Sequence, residues 1–123
     1  LQDNNRGNLH TFSDQMIANL NHEKNAFSFE VEPTMIDNSG NLTQGVLAEM
    51  VKEVVYRTME NQEQNGLVIE EMMFYFLQAA QIDDKVTITP SIIVETRRRA
   101  HLDLMVTHGN HTVCKSVVVV KKT

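Results

Sequence analysis

From Ala26 onward, apolar and polar residues alternate: Phe27, Phe29 and Val31 against Ser28, Glu30 and Glu32. That period of two predicts a half-buried strand, which Pro33 ends. The polar stretch Asp37-Asn38-Ser39-Gly40-Asn41 reads as a turn. Then the period lengthens. Leu47, Met50, Val51, Val54, Val55, Thr58 and Met59 recur at helical spacing and form one apolar stripe. The spacing predicts one long helix, capped at its start by Asn41 or Thr43 and bracketed at its end by Asn61 and Gly66.

After Gly66 the chain returns to strand patterns. Residues 67–77, LVIEEMMFYFL, are apolar on both faces except at Glu70 and Glu71, which predicts a central strand partly covered by the helix. Following the Gln81-Ile82-Asp83-Asp84 turn, Val86, Ile88, Pro90, Ile92 and Val94 share one face of a further strand. Pro90 has no N–H to give a ladder, so this strand is expected at an edge or bulged there. Leu102, Leu104 and Val106 mark the next strand, and Gly109-Asn110 turns the chain into a last one over residues 111–120. The order predicts an α+β fold, an antiparallel sheet wrapped around one long helix whose stripe faces it. Ahead of Ala26, Asn recurs at 4, 5, 8, 19, 21 and 25, and a short helix is expected around Met16, Ile17 and Leu20, capped by Thr11 or Ser13. Residues 1–25 are read as a flexible segment with a linker helix, and residues 26–123 as the domain.

Composition narrows the function. A chain of 123 residues and 14.0 kDa has the length of one domain. Sixteen acidic against eleven basic residues leave a net charge of -5, so duplex DNA and anionic membranes are not expected as direct partners. No apolar run approaches the roughly 20 residues that span a bilayer. The single Cys114 excludes an internal disulfide framework, which fits a reducing cytoplasm. The chain starts with Leu1 rather than Met, as a piece of a longer protein would.

Candidate chemistry starts at the helix entrance, Thr43-Gln44-Gly45. A glycine in the first turn lets a ligand approach free backbone N–H groups at the positive end of the helix dipole, where a developing oxyanion is favoured. Gln44 adds a neutral donor. Farther along, Glu53 and Arg57 suit an i,i+4 ion pair on a solvated face. Eight residues at 1.5 Å rise separate Gly45 from Glu53 by about 12 Å, too far to serve one carbon. If both act on one substrate, Glu53 comes from a second subunit, which predicts a two-fold dimer with two equivalent sites.

The segment N-S-G-N-L-T-Q-G-V-L-A-E-M-V-K-E, residues 38–53, resembles the helix-entrance motif of hot-dog-fold acyl-CoA thioesterases, in which His-Gly-Gly precedes an Asp or Glu at the spacing that separates Gln44 from Glu53. Gln44 stands in the place of the His, Gly45 keeps the first Gly, and Val46 replaces the second. The resemblance extends over roughly residues 26–121. It implies a dimeric hot-dog fold in which the first-turn N–H polarises a thioester carbonyl while the carboxylate of Glu53 attacks it or activates water. Gln44 can donate a hydrogen bond as a neutral His does, but it cannot transfer a proton. Asn38 takes the place of a water-orienting amide.

A narrower similarity is to the C-terminal hot-dog domain of bacterial regulators that also carry a helix-turn-helix region, a DRTGG domain and CBS domains. It rests on residues 31–47, 68–84 and E-T-R-R-R-A-H-L-D-L-M-V, residues 95–106; the position of Arg97 is commonly Gly in that group. It implies a module that binds an acyl-CoA-like ligand and relays its presence in transcription regulation. DNA contact would then belong to a part outside this chain.

The run Arg97-Arg98-Arg99 is the dense basic cluster, either a solvated hairpin end or a set of guanidinium forks for the phosphates of CoA. His101, His108 and His111 cluster around the last turn without carboxylate or thiol at ligand spacing, so no metal is expected. Cys114, in an apolar strand, is read as a core residue. No cofactor is expected beyond a CoA thioester as ligand or substrate. The expected function is CoA-thioester binding by the sensing and dimerisation module of a cytoplasmic regulator; the alternative is an acyl-CoA thioesterase that uses Glu53 across the dimer.

Overall fold

The computed structural model describes residues 11–59 and 66–123. The Asn-rich opening of the chain and Asn61, expected beyond the helix end, lie outside them. Helix α1 (Thr11–Ala18) leads into a hairpin of β1 (Asn21–Glu23) and β2 (Ala26–Glu30), followed by a single 3-10 turn at Pro33–Met35 and by helix α2 (Gln44–Met59). Strands β3 (Leu67–Phe76), β4 (Lys85–Glu95), β5 (Arg99–His108) and β6 (His111–Lys122) complete the fold. All described pairings are antiparallel, and the six strands lie in the order β1-β2-β4-β5-β6-β3.

The stripe read from the sequence faces the sheet. Leu47, Met50, Val51, Val54, Val55 and Met59 are buried, with Val46 beside them. They meet Ala100, Leu102, Leu104 and Val106 of β5 and Val118 and Val120 of β6 in one core. Thr58, the polar member of the stripe, is half-buried, and its hydroxyl finds no partner among the described residues. At 16 residues, about 24 Å, α2 is shorter than the long central helix expected. The apolar stripe stops at Met59, because residues 60–65, ENQEQN, carry no apolar side chain. Strands of ten to twelve residues outrun such a helix, and Ile92, Ile93 and Val94 near the far end of β4 are exposed.

Three further features have local causes, and the second agrees with the edge expected at Pro90. First, among the described residues β3 is an edge strand paired only with β6, not a central one. Its alternation breaks at a bulge between Ile69 and Glu71, where Glu70 turns out to Arg99. Second, Pro90 lies where β4 has one neighbour. The register with β2 ends at Phe27↔Ile88, while β5 continues alongside through Glu95, with a second bulge between Ile92 and Val94. Third, residue 25 is not a break in packing. Met16 and Leu20 are buried in the same core, Asn19 donates to Glu32 at 3.1 Å, and β1 extends the sheet. The β1 strand, Asn21-His22-Glu23, has no apolar alternation to announce it; Glu23 holds it through Ser28 at 2.7 Å and Lys85 at 2.9 Å.

Candidate functional site

The helix entrance is built by a folded turn. The carboxylate of Asp37 accepts the N–H groups of Ser39 and Asn41, at 2.8 and 3.1 Å, and Gly40 takes the positive φ of 83° that closes the turn. Leu42 and Thr43 are then pinned by backbone bonds to Ala80 and Met35. Thr43 is the N-cap: its Oγ1 accepts the N–H of Val46 at 3.1 Å, and its carbonyl accepts that of Leu47. The N–H groups of Gln44 and Gly45 find no acceptor among the described residues. A Cβ on Gly45 would meet nothing within 4 Å, so internal packing does not require a glycine there.

The entrance borders a cavity of about 440 Å³, with Gln44 in its lining and Gly45 outside it. Its walls come from the turn (Asp37, Asn41), the entrance (Thr43, Gln44, Leu47), and the segment that leaves β3, Phe76 to Ala80, with Val113 of β6. Leu77 and Gln78 both donate to the carbonyl of Val113, which fixes that wall. Polar groups and the apolar side chains of Leu42, Leu47, Phe76 and Val113 share this lining, which suits a ligand with both a carbonyl and a hydrocarbon group.

The remaining predicted site residues fall elsewhere. Asn38 lies exposed on the turn and does not line the cavity; Asn41, three residues on, does, and the sequence reading missed it. The available signal was Gly40, whose positive φ reverses the chain between the two asparagines. Glu53 is nine residues beyond Gln44 on α2 and also outside the cavity lining. Its carboxylate holds the Nε of Arg57 at 2.8 Å, the i,i+4 pair expected, and Arg57 donates onward to the carbonyls of Ile17 and Leu20, each at 3.3 Å. The pair therefore also fastens α1 to α2.

The arginine run sits at the opposite end of the sheet. Arg99 forks onto both oxygens of Glu70, at 2.8 and 3.1 Å. The hydrogen-bonded guanidinium holds the Glu70 carboxyl below the ordinary glutamate value, and the same pairing raises Arg99. Of the three arginines expected to clasp phosphates, Arg99 is thus committed within the chain, whereas Arg97 and Arg98 are exposed with no side-chain partner among the described residues. Along β3, the six to nine residue steps from Phe76 back to Glu70 and Leu67 put this cluster about 20–30 Å from the cavity, so one chain does not bring them together. Cys114 is buried, and burial pushes its thiol up to about 11, which keeps it protonated at neutral pH. No described helix is long and apolar enough to cross a membrane.

No family model matches the chain. Solved structures do. A hypothetical thioesterase from Streptococcus pneumoniae, determined with coenzyme A, superposes with a TM-score of 0.79 at 20% identity, over 85% of this chain and 89% of that one. The thioesterase superfamily member 2 of zebra fish gives 0.79 at 17%, over 89% and 86%. The chain has the hot-dog fold. Another hot-dog neighbour, a Streptococcus mutans protein solved bound to acetyl CoA, gives 0.76 at 16%, over 85% of this chain and 87% of that one. Identities this low speak for the fold alone. In sequence, the chain is 23% identical over 99 residues to YtoI, an uncharacterized protein of Bacillus subtilis; the match takes in 80% of this chain and 23% of that protein. The chain thus spans under a quarter of the length of that relative.

Proposed function

We propose that this hot-dog domain binds a CoA thioester at the α2 entrance, as the ligand-sensing and dimerisation module of a larger cytoplasmic regulator. One observation carries the reading: Gln44, whose first-turn N–H has no acceptor among the described residues, lines a cavity of about 440 Å³ together with Leu42, Leu47, Phe76 and Val113. There the thioester carbonyl accepts from the N–H of Gln44, with Gly45 next to it in the first turn, Asn41 supplies the amide first assigned to Asn38, and the acyl group runs toward Leu47 and Phe76. Neighbours of the same fold, solved with coenzyme A and acetyl CoA, support the ligand class. The regulator context is supported by the resemblance of residues 31–47, 68–84 and 95–106, and by a relative more than four times the length of its matched segment.

Strand β3 supports the dimer. Its outer edge is unpaired among the described strands, and Val68, Met73, Tyr75 and Phe76 on it are exposed. An edge of this kind invites pairing with another copy. Two-fold antiparallel pairing of β3 with itself sets the partner's β3 start beside this chain's β3 end. The basic end of the partner then approaches the cavity, with Arg97 and Arg98 free for the phosphates of CoA.

Hydrolysis is the second reading, favoured by the same N–H pair and by Glu53, whose side chain is 26% exposed. Its carboxylate would have to act across the dimer while bonded to Arg57. A panel of CoA thioesters, scored in parallel for thermal stabilisation and thiol release, separates the two. At 100 times its dissociation constant, a ligand adds about 2.7 kcal/mol. Sensing predicts stabilisation without release. Release that disappears in Glu53→Gln establishes the esterase, release unchanged in that variant removes Glu53 from the mechanism, and no shift with any thioester refutes ligand binding.

A further inference from the structure

Of the described residues that line the cavity beside Gln44, Asp37 alone is ionisable, and no cation stands among them. Its two carboxylate oxygens have different duties. Oδ1 accepts both turn N–H groups, from Ser39 at 2.8 Å and from Asn41 at 3.1 Å, whereas Oδ2 has no partner among the described residues. The turn needs an acceptor at Oδ1, which an asparagine would also supply. The negative charge is surplus to the turn and bears on whatever enters the cavity.

The surroundings reinforce that charge. Ile82 donates to the carbonyl of Gly40 at 3.3 Å, which sets the turn of residues 81–84, with Asp83 and Asp84, alongside. The basic side chains next to that turn are engaged: His108 faces Asp84 at 3.4 Å, and Lys85 pairs with Glu23 at 2.9 Å. Within the lining, Asn41, Thr43, Gln44 and Gln78 supply only neutral groups, and the N–H of Gln44 is given to the thioester carbonyl in the reading above. An acyl group that ends in a carboxylate would give up hydration here with no cation to replace it, beside a like charge. Asp37 is exposed, so water softens the repulsion, and the lost hydration of the incoming carboxylate adds to what remains. A hydrocarbon end meets neither cost, and Leu42, Leu47, Phe76 and Val113 give it apolar contact.

We infer that the cavity takes an uncharged acyl group, and that Asp37 is the residue that turns away acyl groups ending in a carboxylate. The inference rests on CoA-thioester binding at this cavity and adds to it the class of acyl group.

The test compares two thioesters of matched shape by calorimetry, 4-methylpentanoyl-CoA and succinyl-CoA, in which a planar carboxylate replaces the branched methyl pair. Wild type is expected to bind succinyl-CoA at least about tenfold more weakly. In Asp37→Asn, which keeps the Oδ1 acceptor, that ratio is expected to fall toward unity, with circular dichroism confirming the fold. Asp37→Ser, whose hydroxyl can also accept the turn N–H groups, serves if the asparagine variant does not fold. The readout is the ratio between the two thioesters, so a general loss of affinity from a loosened turn cancels. Equal binding of both by wild type, or a ratio that a folded Asp37 variant does not lower, overturns the inference and leaves thioester binding standing. Binding of neither thioester overturns both.

Discussion

The two ends of β3 offer a ligand opposite chemistry. Where the strand ends, at Phe76, the chain builds a cavity of mixed polar and apolar lining beside the free N–H of Gln44, with the polar side chains Asp37 and Thr43 already engaged in shaping the turn. Where it begins, the donors are guanidinium groups in water, and one of the three is tied to Glu70. The first end suits a neutral carbonyl and a hydrocarbon tail; the second suits phosphate. A CoA thioester carries both, and a single chain holds them about 20–30 Å apart. On the proposed reading, the domain becomes a complete CoA-thioester site only as a pair, with each cavity served by the other copy's basic end.

The largest expected effect is at the cavity floor. Leu47 is 2% exposed, and Leu47→Ala should cost about 3 kcal/mol by leaving a void beneath the entrance, measurable by denaturant unfolding. A loss under about 1 kcal/mol would mean that this end collapses easily and is not a rigid wall. Next comes the basic end. Arg98→Ala should weaken a CoA thioester about tenfold, roughly 1.4 kcal/mol, and leave the pantetheine thioester nearly unchanged in calorimetry. Equal losses for both would detach the arginines from the phosphates and break the comparison.

A smaller effect tests the cap. Thr43→Ala should lower stability by about 1 kcal/mol, whereas Thr43→Ser keeps most of it, read as shifts of the thermal midpoint. The smallest effect concerns the Arg99–Glu70 pair. The folded-state pKa of Glu70 is depressed, so the pair's contribution is present above the ordinary value of 4.5 and is lost as pH falls through the folded value. The difference in midpoint between wild type and Glu70→Gln should therefore be constant near neutrality and shrink below about pH 4.5. A difference that grows on acidification would contradict the pairing.

Much of this was legible in the residues, and the exceptions share a cause. The α2 stripe from Leu47 to Met59 could be read because helical spacing and burial coincide there. The same holds for β5, where Ala100, Leu102, Leu104 and Val106 alternate cleanly. β3 was misplaced as central because apolar residues on both faces announce cover without saying whether it comes from the chain itself or from another copy. Its exposed Met73 and Tyr75 fit the second source. β1 was invisible because its three residues are all exposed and are held by Glu23 and by backbone pairing with β2. At the site, the Thr43-Gln44-Gly45 entrance was found from the glycine and the cap, which are local signals. Asn41 was passed over for Asn38, since only the folded turn decides which amide faces inward.

Gln44 gives the most direct test of the central claim, that free first-turn N–H groups receive the thioester. It is the first helical residue and follows the Thr43 cap, a position where proline preserves a helix while removing the N–H. The measurement is the thermal shift caused by a CoA thioester that stabilises the wild type, repeated on Gln44→Ala and Gln44→Pro. The account predicts that both variants fold, that alanine keeps part of the shift, and that proline loses most of it. A proline variant stabilised as strongly as the wild type would contradict the claim.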